Sequence, residues 1–421
     1  MTKLPRILAI LGSGETAPTM VKVHRELLNL LSSKSAVLLD TPYGFQENAP
    51  ELAMRAVDYF KTSINVSITP AGLTRVNGAD VISLQRGLNF LSDANYIFSG
   101  PGSPTYALRQ WRGSAVPDLL RTKIRDGGIV TFASAAALTL GTKTVPVYEI
   151  YKCGEEPYWL DGLYLLSDLG MPAVVIPHFN NAEGERHDTR FCYLGEQRLI
   201  SLEAKLDKQE YVLGVDEHTA LVIDLESDLA RVSGNGVVTL RYDGVSRTFA
   251  AGEAIPLALL KNPRVGSLQN ASVNKAQSSP TEAAMAISVT PISLRSATEA
   301  RKSEFDSAFA ARDSAAATRA VLDLEVDIRQ WSADTLTGPD GEFARRTFRG
   351  MILKLGEAAT SGLADPRSVA APYVEAILAI RGVVRAEKRF DLSDIIRDVL
   401  ADVKVEVRDN PSGVEWILRD P

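Results

Sequence analysis

The chain of 421 residues has little cysteine, little histidine and no long apolar run. Its two cysteines, Cys153 and Cys192, are too few for a disulfide framework or for a structural zinc site of four thiolates. We expect two unpaired thiols in a reducing compartment. No segment reaches the roughly 18 apolar residues that a membrane-spanning helix needs. The apolar run at 7–11 is followed by no small-residue cleavage site, so we interpret it as a strand and expect a cytoplasmic protein without a membrane partner.

The chain also lacks an excess of positive charge. It carries 46 Lys and Arg against 52 Asp and Glu, which gives a formal net charge of −6. This balance does not have the whole-molecule electrostatic footprint of a dedicated nucleic-acid binder, although it leaves room for a local basic patch. The hydrophobic fraction of 45% is ordinary for a globular protein, and the length predicts two or three domains.

The first 180 residues alternate between strand-like and helix-like segments. Predicted strands lie at 7–11, 36–39, 96–98 and 129–133, and predicted helices lie at 21–31, 50–60 and 106–125. This alternation predicts a three-layer α/β sandwich with a mostly parallel sheet, whose ligand site lies beyond the carboxyl ends of the strands. Hairpin signals at 211–251 predict the strands that complete a domain spanning residues 1–260.

The composition changes after this domain. Residues 261–291 are rich in Ser, Asn, Ala and Pro, and we predict a linker there. Residues 292–421 form a predicted helical domain, broken into separate helices at 339–341 and 365–366. Alternating apolar and polar residues at 405–418 predict a terminal β-hairpin.

Ser134 is the first candidate for chemistry, because it follows an apolar strand and opens a run of small helix-forming residues. This is the pattern of a nucleophile elbow, in which a sharp turn exposes the hydroxyl at the sheet edge. The glycines usual at two positions before and after the serine are here Phe132 and Ala136. An ordinary helix N-cap is the alternative interpretation.

His178 follows the apolar run 173–176, so it is predicted at the same edge of the sheet as Ser134. Its neutral imidazole could accept the serine proton and return it to the leaving group. Glu149 is the first choice for the carboxylate that orients this ring, with Asp188 and Asp216 as alternatives. A structural, hydrogen-bonded histidine is the alternative interpretation of His178.

The expected oxyanion hole combines the N–H of Ala135 with one from the turn at 100–103. Pro101 has no N–H, so the second donor is predicted to be Gly102 or Ser103. The segment Gly12–Thr16 lacks the spacing of either common phosphate-binding loop, and we interpret it as a tight turn that lines the cleft. We predict no cofactor and no metal.

Two stretches carry a resemblance to a known family: Pro177-His-Phe-Asn-Asn-Ala182 and Gly214-Val-Asp-Glu-His-Thr-Ala-Leu221. With them, residues 1–250 resemble the cyanophycinase and alpha-aspartyl dipeptidase family of serine hydrolases. The resemblance implies a class I glutamine amidotransferase-like fold, a serine nucleophile at the elbow and the histidine of the Pro-His-Phe segment as base. It also implies an acid about fifteen positions after the serine, which corresponds to Glu149.

The resemblance continues beyond the first stretch to Thr189-Arg190, and so draws attention to Arg190. Arg190 could bind a substrate carboxylate through two parallel hydrogen bonds, or form a surface ion pair. The elbow here is Phe-Ala-Ser-Ala-Ala-Ala where the family has glycines, and Gly-Pro-Gly-Ser replaces a family glycine-rich loop. The substrate of the family is therefore not carried over.

A second resemblance covers residues 374–418, which look like the C-terminal helical module of cysteinyl-tRNA synthetase, and it extends less clearly back to 293. It implies tRNA as a partner of this region. However, residues 293–421 contain 19 Lys and Arg against 22 Asp and Glu, a poor balance for phosphate binding. A local cluster stands at helical spacing, and it indicates either a partner patch or a solvated helix face; its members are Arg381, Arg385, Lys388 and Arg389.

The sequence therefore favours a serine hydrolase that acts on a small peptide or amide substrate. The alternative is a catalytically altered binding module linked to tRNA or to an aminoacyl intermediate. The synthetase's catalytic zinc and nucleotide motifs do not occur in the sequence, so aminoacylation is not expected. The sequence leaves homo-oligomer formation open.

Overall fold

The computed structural model describes residues 3–183, 187–263, 293–331, 339–361, 366–410 and 413–419. The chain divides into two compact units. The first contains residues 1–294 together with Ile328–Glu342, and the second contains Arg295–Asp327 and Phe343–Pro421. Most of the predicted linker at 261–291 lies outside the described residues.

The first unit is built on a large sheet in which five strands run parallel. Its strands are β1 Arg6–Leu11, β2 Ala36–Leu38, β3 Ile68–Pro70, β4 Tyr96–Ser99, β5 Gly128–Ala133, β10 Thr219–Asp224, β11 Leu229–Gly234 and β14 Ala254–Pro256. Their order in the sheet is β14-β11-β10-β1-β5-β4-β2-β3, in which β10, β11 and β14 are antiparallel to their neighbours. The α/β class expected from the sequence is confirmed.

Both faces of this sheet are covered, because side chains alternate between two hydrophobic cores. Leu8 and Ile10 of β1 enter one core, whereas Ala9 and Leu11 enter the other. The helices that contribute to these two cores are α1 Val21–Asn29, α2 Ala49–Tyr59, α3 Val81–Asp93, α4 Pro104–Trp111, α5 Val116–Asp126, α6 Ser134–Leu138 and α9 Leu257–Lys261. Two further helices, α7 Val147–Tyr151 and α8 Gly195–Glu203, pack in a third core with Val174, Ile176 and Val212. The result is the three-layer arrangement.

A second sheet of four strands, ordered β13-β12-β9-β8, packs into the same core as Leu8 and Ile10. Its strands are β8 Ala173–Ile176, β9 Tyr211–Val215, β12 Val237–Tyr242 and β13 Val245–Ala250, and a separate two-stranded ribbon joins β6 Lys143–Thr144 to β7 Leu160–Asp161. Strands β8 and β9 are parallel neighbours, with Ile176 opposite Gly214. Residues that follow the carboxyl ends of these two strands are therefore brought together.

The second unit is mostly helical and ends in a hairpin, as expected. Its elements are α10 Leu294–Ala310, α11 Ser314–Trp331, α12 Pro339–Ser361, α13 Pro366–Ala386, α14 Phe390–Asp402, β15 Val405–Asn410 and β16 Gly413–Leu418, of which α10, α11 and α12 each have an end in the first unit. Val374, Leu400, Val405 and Trp416 form a small core that joins α13, α14 and the hairpin. No described helix has both the length and the apolar character needed to cross a membrane.

Candidate active site

Ser134 lies at a sharp turn between β5 and α6. Its backbone φ of +48° is left-handed, a conformation that residues other than glycine rarely adopt. Phe132 and Ala136, which stand where glycines were expected, are both fully buried, and the Phe132 ring packs 5.8 Å from that of Trp111. The core accepts both side chains, so the turn forms without flanking glycines.

His178 lies beside this serine, two residues after the end of β8. Its Nε2 is 2.9 Å from Ser134 Oγ, which is hydrogen-bonding distance. His178 is 7% exposed and also has a left-handed φ of +48°. Its backbone N–H donates to the carbonyl of Gly12, which places the Gly12–Thr16 turn at the same edge of the sheet.

The carboxylate on the other ring nitrogen belongs to Glu217 and not to Glu149, the first choice from the sequence. His178 Nδ1 and Glu217 Oε1 are 2.9 Å apart. The cause is the register of the second sheet, which sets the residues after β9 beside those after β8. Glu149 lies in α7, and its Oε2 is a buried oxygen without a hydrogen-bond partner among the described residues.

The two alternative acids are used elsewhere. Asp188 accepts two hydrogen bonds from the Arg190 guanidinium, which hold the pKa of Asp188 well below its ordinary value. Asp216 accepts the backbone N–H of Val237 at 2.9 Å, and burial raises the pKa of its carboxyl. Both carboxylates therefore serve local structure.

Glu217 is held in place by the loop that carries His178. Asn181 Nδ2 donates to Glu217 Oε1 at 3.1 Å, and the Glu217 backbone N–H donates to Asn180 Oδ1 at 2.8 Å. Burial by itself raises the pKa of Glu217, but hydrogen bonds from His178 and Asn181 outweigh it and keep the pKa below its ordinary value. An ionised carboxylate only accepts, so Nδ1 carries the ring proton and Nε2 is left to accept from Ser134 Oγ.

The predicted oxyanion donors divide into two groups. The Ser103 N–H donates to the Pro42 carbonyl at 2.8 Å and its Oγ caps α4 by accepting the Tyr106 N–H, so Ser103 is not an oxyanion donor. Gly102 has a φ of +138°, and a Cβ on it would lie 2.2 Å from the Pro42 oxygen, so this position requires glycine. Ala135 lies in the first turn of α6, where N–H groups have no intrahelical acceptor.

Arg190 is engaged in ion pairs rather than open to a substrate carboxylate. Its guanidinium makes two 2.8 Å hydrogen bonds to Asp188 and lies 3.4 Å from Glu196. Its side chain is half exposed. The ion-pair interpretation of Arg190 is therefore the one that the structure favours.

The backbone behind His178 contains a left-handed turn that no sequence motif predicted. Phe191, Cys192 and Tyr193 have φ values of +61°, +56° and +66°. The Cys192 N–H donates to the His178 carbonyl at 3.1 Å, and the Tyr193 ring lies 6.3 Å from the imidazole. Tyr193 Oη donates to Glu183 Oε2 at 2.8 Å. This turn forms one wall around the His178 imidazole.

Two arginines of the basic cluster in the second unit are tied to one carboxylate. Arg381 is 1% exposed and makes two hydrogen bonds to Asp409, at 2.7 and 2.8 Å. Arg385 reaches Asp409 at 3.0 Å. Lys388 and Arg389 are exposed. Half of the predicted patch therefore holds α13 to the hairpin.

Among the residues that the structure describes, no group of three or more His, Cys, Asp and Glu side chains is arranged to hold a metal ion. The candidate site consists of protein groups: a hydroxyl, an imidazole and a carboxylate connected in series by hydrogen bonds. Such a series can move a proton from the hydroxyl to the ring.

Comparisons with known proteins give partial matches. No family model matches the chain. A short segment, 10% of the chain, is similar to cysteine--tRNA ligases. It is 44% identical over 43 residues to the ligase of Petrotoga mobilis and 45% identical over 42 residues to that of Thermotoga petrophila. The match spans 9% of the length of each ligase.

Among solved structures, the fold is similar to a peptidase from an acI-B1 Actinobacterium, with 21% identity and a TM-score of 0.49 over 60% of this chain and 98% of that chain. It is also similar to a putative peptidase E protein from Listeria monocytogenes EGD-e, with 14% identity and a TM-score of 0.36 over 55% of this chain and 98% of that chain. The structural neighbours are thus described as a peptidase and a putative peptidase E, and the chain has a short match to cysteine--tRNA ligase.

Proposed function

We propose that this chain is a serine hydrolase that cleaves a peptide or amide bond through Ser134, His178 and Glu217. The observation that carries the proposal is the pair of 2.9 Å distances, from Ser134 Oγ to His178 Nε2 and from His178 Nδ1 to Glu217 Oε1. A nucleophile within reach of a base, with the base oriented by a third group, is the arrangement that activates a hydroxyl. The preference for a peptide or amide bond comes from the sequence resemblance of residues 177–182.

The proposed reaction has two halves. In the first, Ser134 Oγ attacks the substrate carbonyl carbon as its proton moves to His178 Nε2, and the tetrahedral oxyanion faces the N–H groups of Ala135 and Gly102. The intermediate collapses when His178 gives that proton to the leaving nitrogen, so an amine departs and an acyl-serine remains. In the second half, water loses a proton to His178 and attacks the acyl-serine, and the acid leaves as Ser134 regains its proton.

The active-site serine can be tested with a fluorophosphonate probe, which phosphonylates activated serine hydroxyls. Wild-type protein is expected to bind one equivalent of probe at Ser134, whereas Ser134→Ala binds none, as measured by intact-protein mass spectrometry. Ser103→Ala is the matched control, because its hydroxyl caps α4 and accepts a backbone N–H. It should lose about 1 kcal/mol of stability and keep the label. Equal labelling of wild type and Ser134→Ala would contradict the proposal.

A second candidate function, binding of tRNA by the C-terminal region, is favoured by the identity of this region to part of cysteine--tRNA ligase. Lys388 and Arg389 are two of its exposed cations. If they contact phosphates, the full-length protein should retard total tRNA in a gel at low salt, and a variant with both residues changed to Glu should lose most of this shift. Ser134→Ala should leave the shift intact. Absence of a wild-type shift at low salt would remove this candidate.

A further inference from the structure

The described residues 328–331 and 339–342 come from the C-terminal helical region of the sequence but belong to the first unit. Trp331, the last residue of α11, is only 5% exposed. Its ring centroid lies 5.2 Å from that of His218, with the two planes tilted by 58°. Both side chains line a cavity of about 240 Å³ that is also bordered by Glu217. Trp331 therefore packs directly beside the loop that carries the proposed acid.

The His218 ring is fixed by tight contacts. Its Nδ1 lies 2.9 Å from Thr19 Oγ1. On the same side, a Cβ added at Gly14 would lie 2.1 Å from Nδ1, so the ring fills the space that this glycine leaves open. Trp331 contacts the ring as well. These contacts set the direction in which the His218 side chain leaves the backbone.

That direction matters because the backbone at His218 is strained. Its φ is +52°, a left-handed conformation that residues other than glycine rarely adopt. Strained residues persist only where their surroundings hold them. His218 directly follows Glu217, so relaxation at His218 would rotate the peptide that presents the Glu217 carboxylate to His178.

We propose that Trp331 is a positioning residue, which packs on His218 and thereby holds the strained loop that presents Glu217 to His178. This inference rests on the proposed function of the Ser134 site. Without the indole ring, His218 and its backbone gain freedom, and the Glu217 to His178 hydrogen bond is made for a smaller fraction of the time. The imidazole is then less often in the orientation and tautomer that deprotonate Ser134.

The inactivation kinetics of the fluorophosphonate probe separate positioning from binding. Trp331→Ala is expected to lower the limiting inactivation rate, kinact, about tenfold while the half-saturating probe concentration, KI, changes less than about twofold. Trp331→Phe, which keeps an aromatic ring against His218, is expected to restore kinact to within about threefold of wild type. Trp416→Ala is the matched control: it removes an equally buried indole from the second unit and should leave kinact unchanged.

An unchanged kinact in folded Trp331→Ala would overturn the inference, and so would a Trp331→Phe variant as slow as the alanine variant. If Trp331→Ala does not fold, Thr19→Val removes the hydrogen bond to His218 Nδ1 at nearly constant volume and is expected to lower kinact likewise. A Thr19→Val variant with wild-type kinact would then overturn the inference.

A second measurement does not require Ser134 to react. The proton on His178 Nδ1, bonded to Glu217, is expected to give a downfield proton resonance in the NMR spectrum of the wild type. In Trp331→Ala this resonance should broaden or shift upfield, and in Trp416→Ala it should not. If wild type is not labelled by the probe, the proposed function fails. The resonance still decides the positioning role, which an unchanged signal in Trp331→Ala would overturn.

Discussion

Replacing Glu217 by Gln is expected to lower the rate of Ser134 phosphonylation about 10³- to 10⁴-fold. The glutamine amide can donate to His178 Nδ1, which favours the tautomer with its proton on Nε2, and that nitrogen then cannot accept from Ser134 Oγ. The loss should appear in the probe inactivation rate at pH 7 while the fold, followed by circular dichroism, is retained.

Glu149→Gln is the matched control, because the sequence favours Glu149 as the acid and the structure places Glu217 there. The Glu149 variant is expected to react within about threefold of wild type, since it keeps the tautomer of His178 unchanged. A Glu149→Gln variant that loses reactivity while Glu217→Gln keeps it would refute the assignment of the acid.

Replacing Asp409 by Ala is expected to lower the unfolding free energy of the second unit by about 1–2 kcal/mol, because Arg381 is buried whereas Asp409 is partly screened by water. The substitution leaves the Arg381 guanidinium, which is 1% exposed, without its main counter-charge. Hydrogen–deuterium exchange of amides in α13 and β15 measures the opening of this unit separately from the rest of the chain. Asp394→Ala removes an exposed partner of Arg397 and should change the stability by less than about 1 kcal/mol.

The ion pair between Arg381 and Asp409 also predicts how the stability of the second unit changes with pH. Hydrogen bonds from Arg381 lower the pKa of Asp409 from its ordinary 3.8 to about 2. A lowered folded-state pKa means that the pair stabilises fully above pH 4, and that this stabilisation is lost as the pH falls through about 2. Exchange rates in wild type should therefore approach those of Asp409→Ala only in strong acid. If wild type and Asp409→Ala exchange alike at pH 7, the Arg381–Asp409 pair is not what stabilises this unit.

The sequence predicts local elements well and long-range register poorly. Strand β5 and the turn at Ser134 follow from a short apolar run before small residues, and His178 follows from the same reasoning on β8. Glu217 does not, because its approach to His178 depends on the parallel pairing of β8 with β9, 38 positions apart along the chain in the pair Ile176 and Gly214. The motif 214–221 stood out in the sequence, but it contains two adjacent acids, Asp216 and Glu217, and only the second reaches His178 Nδ1.

The predicted oxyanion donors also show that local sequence does not reveal partners distant in the chain. Gly102 and Ser103 are both reasonable from the turn sequence alone. What separates them is the carbonyl of Pro42, which accepts the Ser103 N–H from a loop about 60 positions earlier in the chain. Similarly, the helical spacing of Arg381 and Arg385 indicated a common face, but the carboxylate that occupies both comes from the hairpin. Partners distant in the chain decide which polar groups remain available.

The turn at Phe191–Tyr193 has a consequence for how this site fails. Each left-handed residue costs about 1–2 kcal/mol of conformational free energy, so the three together destabilise this turn by several kcal/mol. What keeps them in place is side-chain contact: Phe191 lies 4.5 Å from the Phe179 ring and under the guanidinium groups of Arg190 and Arg241. When these packing contacts weaken, the three residues relax toward more favourable φ values. The Cys192 amide would then move away from the carbonyl of His178. Warming should thus misalign the imidazole while the central sheet is still intact.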